Sequence, residues 1–397
     1  MRSIYSREQN PVKSENRPTP FQEALLRAAL LDGAAAREAW EKWKSAVDIE
    51  DLDPGSTQLL PLLYRNLKRM GVSHPQMERF KGVYRITWYK NQMLFRDGAT
   101  VARCLEQAGI RTLLLKGAAL IVECYHEHGL RAMADFDILV PFREALAAIE
   151  LLKKHNWVPE FDFSDRVLKS FVRSRHSLGF TSPSGNSLDL HWHVLQDYCR
   201  EDDDRDFWEG SHPSRVHGIP TRILGPADQL LHVCLHGAIW NPVPTLRWIA
   251  DSVMILNTFP QPDWNRLVSL SRQRCRTAAM AEALTYLSEN FDQPIPRHVL
   301  SALRATPVSR RERLEYAAAS SPIRNRGPFL SFWLRYCWHV RSELGRGSLS
   351  RFVTFPRFLQ FIWRRERLRQ VPLFALREGV LRLWHQAVPP AGSAPLL

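Results

Sequence analysis

The hydrophobic period changes twice along this chain of 397 residues, and that limits the folds open to it. Up to residue 109, apolar side chains recur at i, i+3 and i+4, as in "FQEALLRAALL" and "AAAREAWEKWKSAV", which predicts amphipathic helices. "DLDPGS" interrupts the run, "TQLLPLLYRNLKRMG" resumes it with Gly71 as a C-cap, and 77–109 reads as one long helix or two in tandem. From 110 to 225 the apolar runs become short and strand-like, and from 226 to about 388 the helical period returns. The pattern predicts an α+β chain: a small mixed β-sheet with helices on one face, flanked by helical regions at 21–109 and 226–388. A disordered leader (1–20) and a frayed end (389–397) complete the expected organisation.

Within 110–225 the expected order is β-α-β-α-β-β. "IRTLLLKG" is a β-capable run ended by Gly117, and "AALIVECYHEHG" a helix closed by Gly129. "ADFDILV" is a strand, and "PFREALAAIELLKKHNW" a helix opened by Pro141. "VPEFDF" is β-capable and "SDRVLKSFVRSR" a short helix. "HSLGFTSPSGNSLDLHWHVL" is a hairpin whose two alternating runs meet at Ser-Pro-Ser-Gly-Asn. A further strand-like piece, "IPTRIL", precedes the returning helices.

The strand "ADFDILV" carries two aspartates one residue apart. Period two places Asp135 and Asp137 on one face, about 6.5–7 Å apart at Cα, with Phe136 and Ile138 turned into a core. Such a pair is either a solvated strand start or part of a metal site. A hard divalent cation takes oxygen ligands and offsets the repulsion between the carboxylates. Asp189, in "SLDLHW", has the same in–out pattern, with Leu188 and Leu190 on the opposite face, and would complete a three-carboxylate cluster. That arrangement suits metal-assisted phosphoryl transfer. Upstream, "LLLKGAAL" joins a strand to a helix start through a Gly turn, which offers backbone N–H groups to an anion. Lys116 and Arg131 add positive charge on either side.

Four segments, "LLLKGAAL", "LRAMADFDILV", "LDLHWHV" and "LHGAIW…LRWIAD", together resemble the uncharacterised bacterial nucleotidyltransferase family of the DNA polymerase β-like superfamily, over roughly residues 20–260. The resemblance implies a nucleotidyltransferase core at 110–225 and Mg²⁺- or Mn²⁺-dependent transfer of a nucleoside monophosphate from an NTP such as ATP to an acceptor hydroxyl. It assigns the turn to Gly117, the metal pair to Asp135 and Asp137, and the third carboxylate, metal ligand and helper of the acceptor hydroxyl to Asp189. Lys116, Gly117, Ala118 and Arg131 form the expected triphosphate site. Ala118 departs from the pattern, which has Gly or Ser there, and the eighteen residues from Gly117 to Asp135 exceed the compact spacing. The acceptor stays open among small molecules, peptides, proteins and RNA ends. A catalytically silent module of the same fold within a biosynthetic assembly and an RNA-binding protein are the alternatives.

Of the histidines, His176 and His191 on the hairpin and His236 on a later helix are expected to line the site, His191 on the same face as Asp189. His232 and His236 are four apart, but neither a neighbouring glutamate nor a third ligand supports a zinc site, so burial is expected for them. Arg247 and Asp251, also four apart, are expected to pair. Trp240 and Trp248 read as packing residues.

The net charge of +13 is concentrated late: residues 331–397 hold eleven Arg and three Glu, with neither Lys nor Asp. An Arg-rich tail interleaved with Trp, Phe and Leu caps a bundle, lies on an anionic membrane or contacts nucleic acid. Six scattered cysteines with no CxxC pair, a polar N-terminus and no long apolar run lead us to expect a cytoplasmic protein.

Overall fold

Seven strands, all between residues 113 and 223, form one mixed sheet in a computed structural model of the chain. Described are residues 17–309, except 162, 174, 197 and 239–245, together with 312–313, 336, 355–356, 359–360 and 367–377. Most of the leader, Trp240, the frayed end and most of the Arg-rich tail lie outside them. The chain divides into two compact units, Met1–Asn325 and Arg326–Leu397. In the second, a helical run spans 370–377. Among the described residues no helix is long and apolar enough to cross a membrane.

The first unit opens with α1 (Pro20–Leu30), α2 (Gly33–Ala46), α3 (Pro54–Thr57), α4 (Leu60–Arg69) and α5 (Met77–Gln107). Thr19 and Gln22 form a reciprocal capping box at the start of α1. Gly71 follows α4 with φ +69° and a Schellman-type bond from Val72 N–H to Leu67 C=O, as its sequence position predicts. The segment 77–107 is one helix rather than two.

Strand β1 (Leu113–Leu114) leads into α6 (Lys116–Leu120) and a π turn, Ile121–Tyr125. This helix ends on His126 in the left-handed conformation, φ 56°, and not at Gly129 as the sequence predicts. Gly129 has another role: a Cβ there would lie 2.2 Å from the Tyr84 ring on α5. Then follow β2 (Asp135–Leu139), α7 (Ala145–Lys154), β3 (Val158–Pro159), α8 (Asp165–Val172), β4 (Ser177–Thr181), β5 (Ser187–His191) and α9 (Arg205–Gly210). A hairpin of β6 (His212–Val216) and β7 (Ile219–Ile223) completes the sheet. Sequence reading finds β7 and misses β6, because Pro213 and Arg215 break its apolar alternation; the turn residues His217 and Gly218 both have positive φ, as a two-residue hairpin turn requires.

The strand order is β3-β4-β5-β2-β1-β7-β6. β2 runs parallel to β5 and antiparallel to β1, and β1 runs parallel to β7. The crossover from β2 to β5 carries α7 and the β3–β4 pair. Helix α5 packs on the sheet face away from the carboxylates: Phe136 meets Phe95 edge-on at 5.4 Å and lies over Gly98, where a Cβ would come within 2.6 Å of the ring. Gly98→Ala is therefore expected to destabilise the fold by about 1–3 kcal/mol through overpacking, read as a lower urea midpoint at unchanged slope.

Asp97, on the same helix, accepts hydrogen bonds from Ser182 Oγ (2.9 Å), Asn186 Nδ2 (2.8 Å) and Ser184 Oγ in the β4–β5 turn. Gly185 supplies the turn's positive φ, +85°. The chain continues with α10 (Pro226–Ala238), α11 (Arg247–Thr258), α12 (Trp264–Gln273), α13 (Thr277–Asn290) and α14 (Arg297–Arg304). Helices α10 and α11 pack against each other and reach the α6–π-turn segment.

Candidate functional site

Because β2 and β5 are parallel and in register, Asp137 stands directly opposite Asp189, and Leu139 opposite His191. Alternation then brings Asp137, Asp189 and His191 to one face. Gly179, across from Asp189 on β4, has no side chain to crowd it. His191 Nε2 lies 3.0 Å from both Asp137 Oδ1 and Asp189 Oδ2. One ligand atom from each of these three residues falls within 4.8 Å of the others. Asp135, two residues before Asp137, lines the adjoining cleft but is not part of this closest group. Two carboxylates and an imidazole thus converge most closely, and Asp135 stands near enough to feel the charge of all three and of Lys116.

Leu115 N–H donates to Asp137 C=O (3.2 Å), tying the end of β1 to β2. The next residue, Lys116, has φ 45°, a region that non-glycine residues enter at some cost. The sharp turn is therefore made by Lys116, with Gly117 needed for space: a Cβ on Gly117 would lie 2.4 Å from Arg131 Nη1 and 2.7 Å from Met133 Cγ. Lys116 Nζ rests 2.6 Å from Asp137 Oδ1, 3.9 Å from Asp189 Oδ2 and 3.4 Å from His191 Nε2. Ala118 is fully buried and does not line the cleft, so only its backbone could serve a ligand.

These groups set one another's charge. Burial works against the Lys116 ammonium, but Asp137, Asp189 and Asp135 outweigh it and hold its pKa above the ordinary lysine value. Burial likewise opposes charge on His191, yet Asp189 and the hydrogen bonds to both carboxylates push its pKa up to about 9. Asp137 is buried, but Lys116 and His191 hold it down to about 2. Asp189 is also lowered, against burial, chiefly by His191. Asp135 goes the other way: the Asp137 charge and burial push it up to about 6. His176 packs beside His191, rings 5.4 Å apart, and burial keeps its pKa well below the usual histidine range.

The cleft beside the carboxylates is walled by Lys116, Gly117, Arg131, Asp135, His236 and Arg247, among others. Arg131 is 7% exposed and makes a bidentate pair with Asp251, Nε to Oδ1 and Nη2 to Oδ2, both 2.8 Å. Tyr125 Oη donates to the same carboxylate at 2.8 Å. The expected Arg247–Asp251 pair is therefore not formed: Asp251 is taken by Arg131, and Arg247 Nη1 donates to Ala132 C=O at 3.3 Å. Burial and the neighbouring Arg131 lower the Arg247 pKa. Asn91, buried on α5, donates to His128 C=O and Arg131 C=O at 2.6 and 2.7 Å and fixes the loop before β2.

His232 and His236 meet edge-on, 6.0 Å apart, and both line the cleft. Burial lowers both, His232 to about 3, so both are neutral near pH 7. Neither belongs to a metal-binding group among the described residues. Trp248 lines the cleft while packing against Tyr286. His232, Arg247, Trp248 and Asp251 are among the cleft residues to which sequence reading gave no definite site role; the segment "LRWIAD" was the signal that could have placed the last three, and the spacing to His236 the first.

Two carboxylates with an imidazole form a donor set that suits a divalent cation. As an ion ligand, His191 would have to give up the proton it shares with the carboxylates.

A family model described as an uncharacterised nucleotidyltransferase matches residues 56–292. Among solved structures, the crystal structure of an antigenic nucleotidyltransferase-like protein from Paracoccidioides brasiliensis is similar at 16% identity, over 54% of this chain and 94% of that one, with a TM-score of 0.33. No curated protein matches.

Proposed function

This chain belongs to the uncharacterised nucleotidyltransferase family, and on that premise we propose that it transfers a nucleoside monophosphate from an NTP to an acceptor hydroxyl with a divalent cation, in the manner of DNA polymerase β-like enzymes. The observation that carries the reading is the in-register pairing of Asp137 with Asp189 on parallel strands, beside a cleft walled by Lys116, Arg131 and Arg247.

Asp137, Asp189 and His191 would hold the cation, with Asp135 beside them in the cleft wall. A bound divalent ion supplies charge to the triphosphate and lowers the pKa of the attacking hydroxyl. The acceptor hydroxyl passes its proton to Asp189 as its oxygen bonds to the α-phosphorus, the bond to the bridging oxygen breaks, and pyrophosphate leaves with that electron pair. Asp189, whose side chain is 22% exposed, is the carboxylate assigned to the acceptor hydroxyl in this reading. The cationic wall serves the β- and γ-phosphates. Arg131 is already committed to Asp251, so Arg247, which donates to a backbone carbonyl, is the guanidinium more easily recruited. Arg247→Met should weaken NTP binding about tenfold while leaving the affinity for Mn²⁺ alone unchanged, measured by calorimetry with a non-hydrolysable analogue.

One observation favours a second reading, a catalytically silent module. Lys116 and His191 neutralise the carboxylates internally, so the cluster is electrostatically satisfied without an ion. The deciding experiment is incubation with each α-labelled NTP, Mg²⁺ or Mn²⁺ and cell extract. The enzyme reading expects label in an acceptor with at least one NTP, abolished by chelation. No transfer with any NTP favours the silent module.

A further inference from the structure

We propose that Lys116 is a tethered counter-cation of the metal site, holding Asp137 and Asp189 in place of a divalent ion and leaving when the ion binds. The proposal rests on the metal-binding reading given above. Lys116 Nζ touches Asp137 Oδ1 at 2.6 Å and lies 3.9 Å from Asp189 Oδ2 and 3.4 Å from His191 Nε2. It therefore sits against all three residues whose ligand atoms converge within 4.8 Å. An ammonium and a divalent cation cannot share that space, since both need the same carboxylate lone pairs and repel each other at short range.

The turn that delivers the ammonium is specific. Leu115 N–H is anchored to the backbone of Asp137 itself, and Lys116 follows in a left-handed conformation that a lysine adopts only where the surroundings hold it. The turn is backed by Arg131 and Met133, packed into the space where Gly117 lacks a Cβ. A surface lysine drawn to a phosphate would need none of this. The side chain nevertheless keeps an exit: it is 20% exposed and lines the cleft. An ammonium displaced from Asp137 would swing toward the place proposed for the triphosphate. The same residue then stabilises the empty site and answers the charge of the incoming nucleotide. Metal uptake has to overcome this internal competitor, so the affinity of the free protein for metal is set below what its carboxylates alone would give.

The test is a titration of the purified full-length chain with Mn²⁺ and no nucleotide, following free Mn²⁺ by electron paramagnetic resonance. Lys116→Met should bind Mn²⁺ about tenfold more tightly than wild type, the effect of removing one close charge competitor. Mn²⁺ should also raise the melting temperature of the variant more than that of wild type. Lys116→Gln, which can still donate one neutral hydrogen bond to Asp137, serves as a second variant if Lys116→Met does not fold, with the same sign expected. Equal or weaker Mn²⁺ binding by a folded variant, with wild type binding normally, overturns the counter-cation role and leaves the nucleotidyltransferase reading standing. Absence of Mn²⁺ uptake by wild type and variants alike removes the metal site, and this proposal with it.

Discussion

Asp137→Asn should abolish nucleotidyl transfer, lowering kcat by about a thousandfold or more, with the chain still folded. Asp137 is 2% exposed and lies 2.6 Å from Lys116 Nζ and 3.0 Å from His191 Nε2, closer to the ammonium than Asp189 is. Asparagine keeps its size and removes the charge, so the change falls on ion binding and on transition-state charge and very little on packing. Stability should fall modestly. Burial works against the Asp137 charge, yet Lys116 and His191 lower its pKa from 3.8 to about 2, which corresponds to about 2 kcal/mol at neutral pH. Label transfer measured well below the melting temperature separates the two effects. Activity within tenfold of wild type would remove Asp137 from the metal site and leave the cluster a structural salt bridge.

Asp251→Ala should have the largest effect on stability, a loss of about 3–5 kcal/mol. The substitution leaves the Arg131 guanidinium, 7% exposed, without either of its two 2.8 Å bonds, and deprives the Tyr125 hydroxyl of its acceptor. The double variant Arg131→Met/Asp251→Leu should recover a large part of the loss, because neither charge is then buried alone. Urea unfolding of the two single variants and the double variant gives the coupling energy directly. Strictly additive losses would mean that the pair contributes no more than its separate surroundings. Since Arg131 also backs the Gly117 turn, Asp251→Ala should weaken nucleotide binding even where it remains folded.

Short-range chemistry was legible from the sequence, and long-range partnership was not. Period two placed Asp135 and Asp137 on one face and Phe136 and Ile138 on the other, and the same alternation marked Asp189 and His191 on a neighbouring strand. These readings work because Phe136 packs on α5, which leaves the alternate residues of β2 only the other face. Arg131 and Asp251 are 120 residues apart, and no local pattern links them. The spacing of Arg247 and Asp251 pointed instead to a helix-surface pair, which gives way because the buried, bidentate geometry with Arg131 is the stronger demand on that carboxylate. The positive φ at Lys116 was hidden by the glycine beside it, to which a tight turn is usually assigned. Strand β6 was missed because an edge strand need satisfy only one neighbour and tolerates Pro213.

The Asp97 clamp on the β4–β5 turn has a consequence for how this chain can vary. Strand side chains alternate, so adding or removing one residue between 182 and 186 would rotate Asp189 and His191 to the opposite face of the sheet and put Leu190 in the cleft. By binding Ser182, Ser184 and Asn186 together, Asp97 ties the length of that turn to helix α5. The length of this turn is thus as much a condition of the site as the side chains that line it. An insertion in this turn would pull the site apart without touching one of its residues.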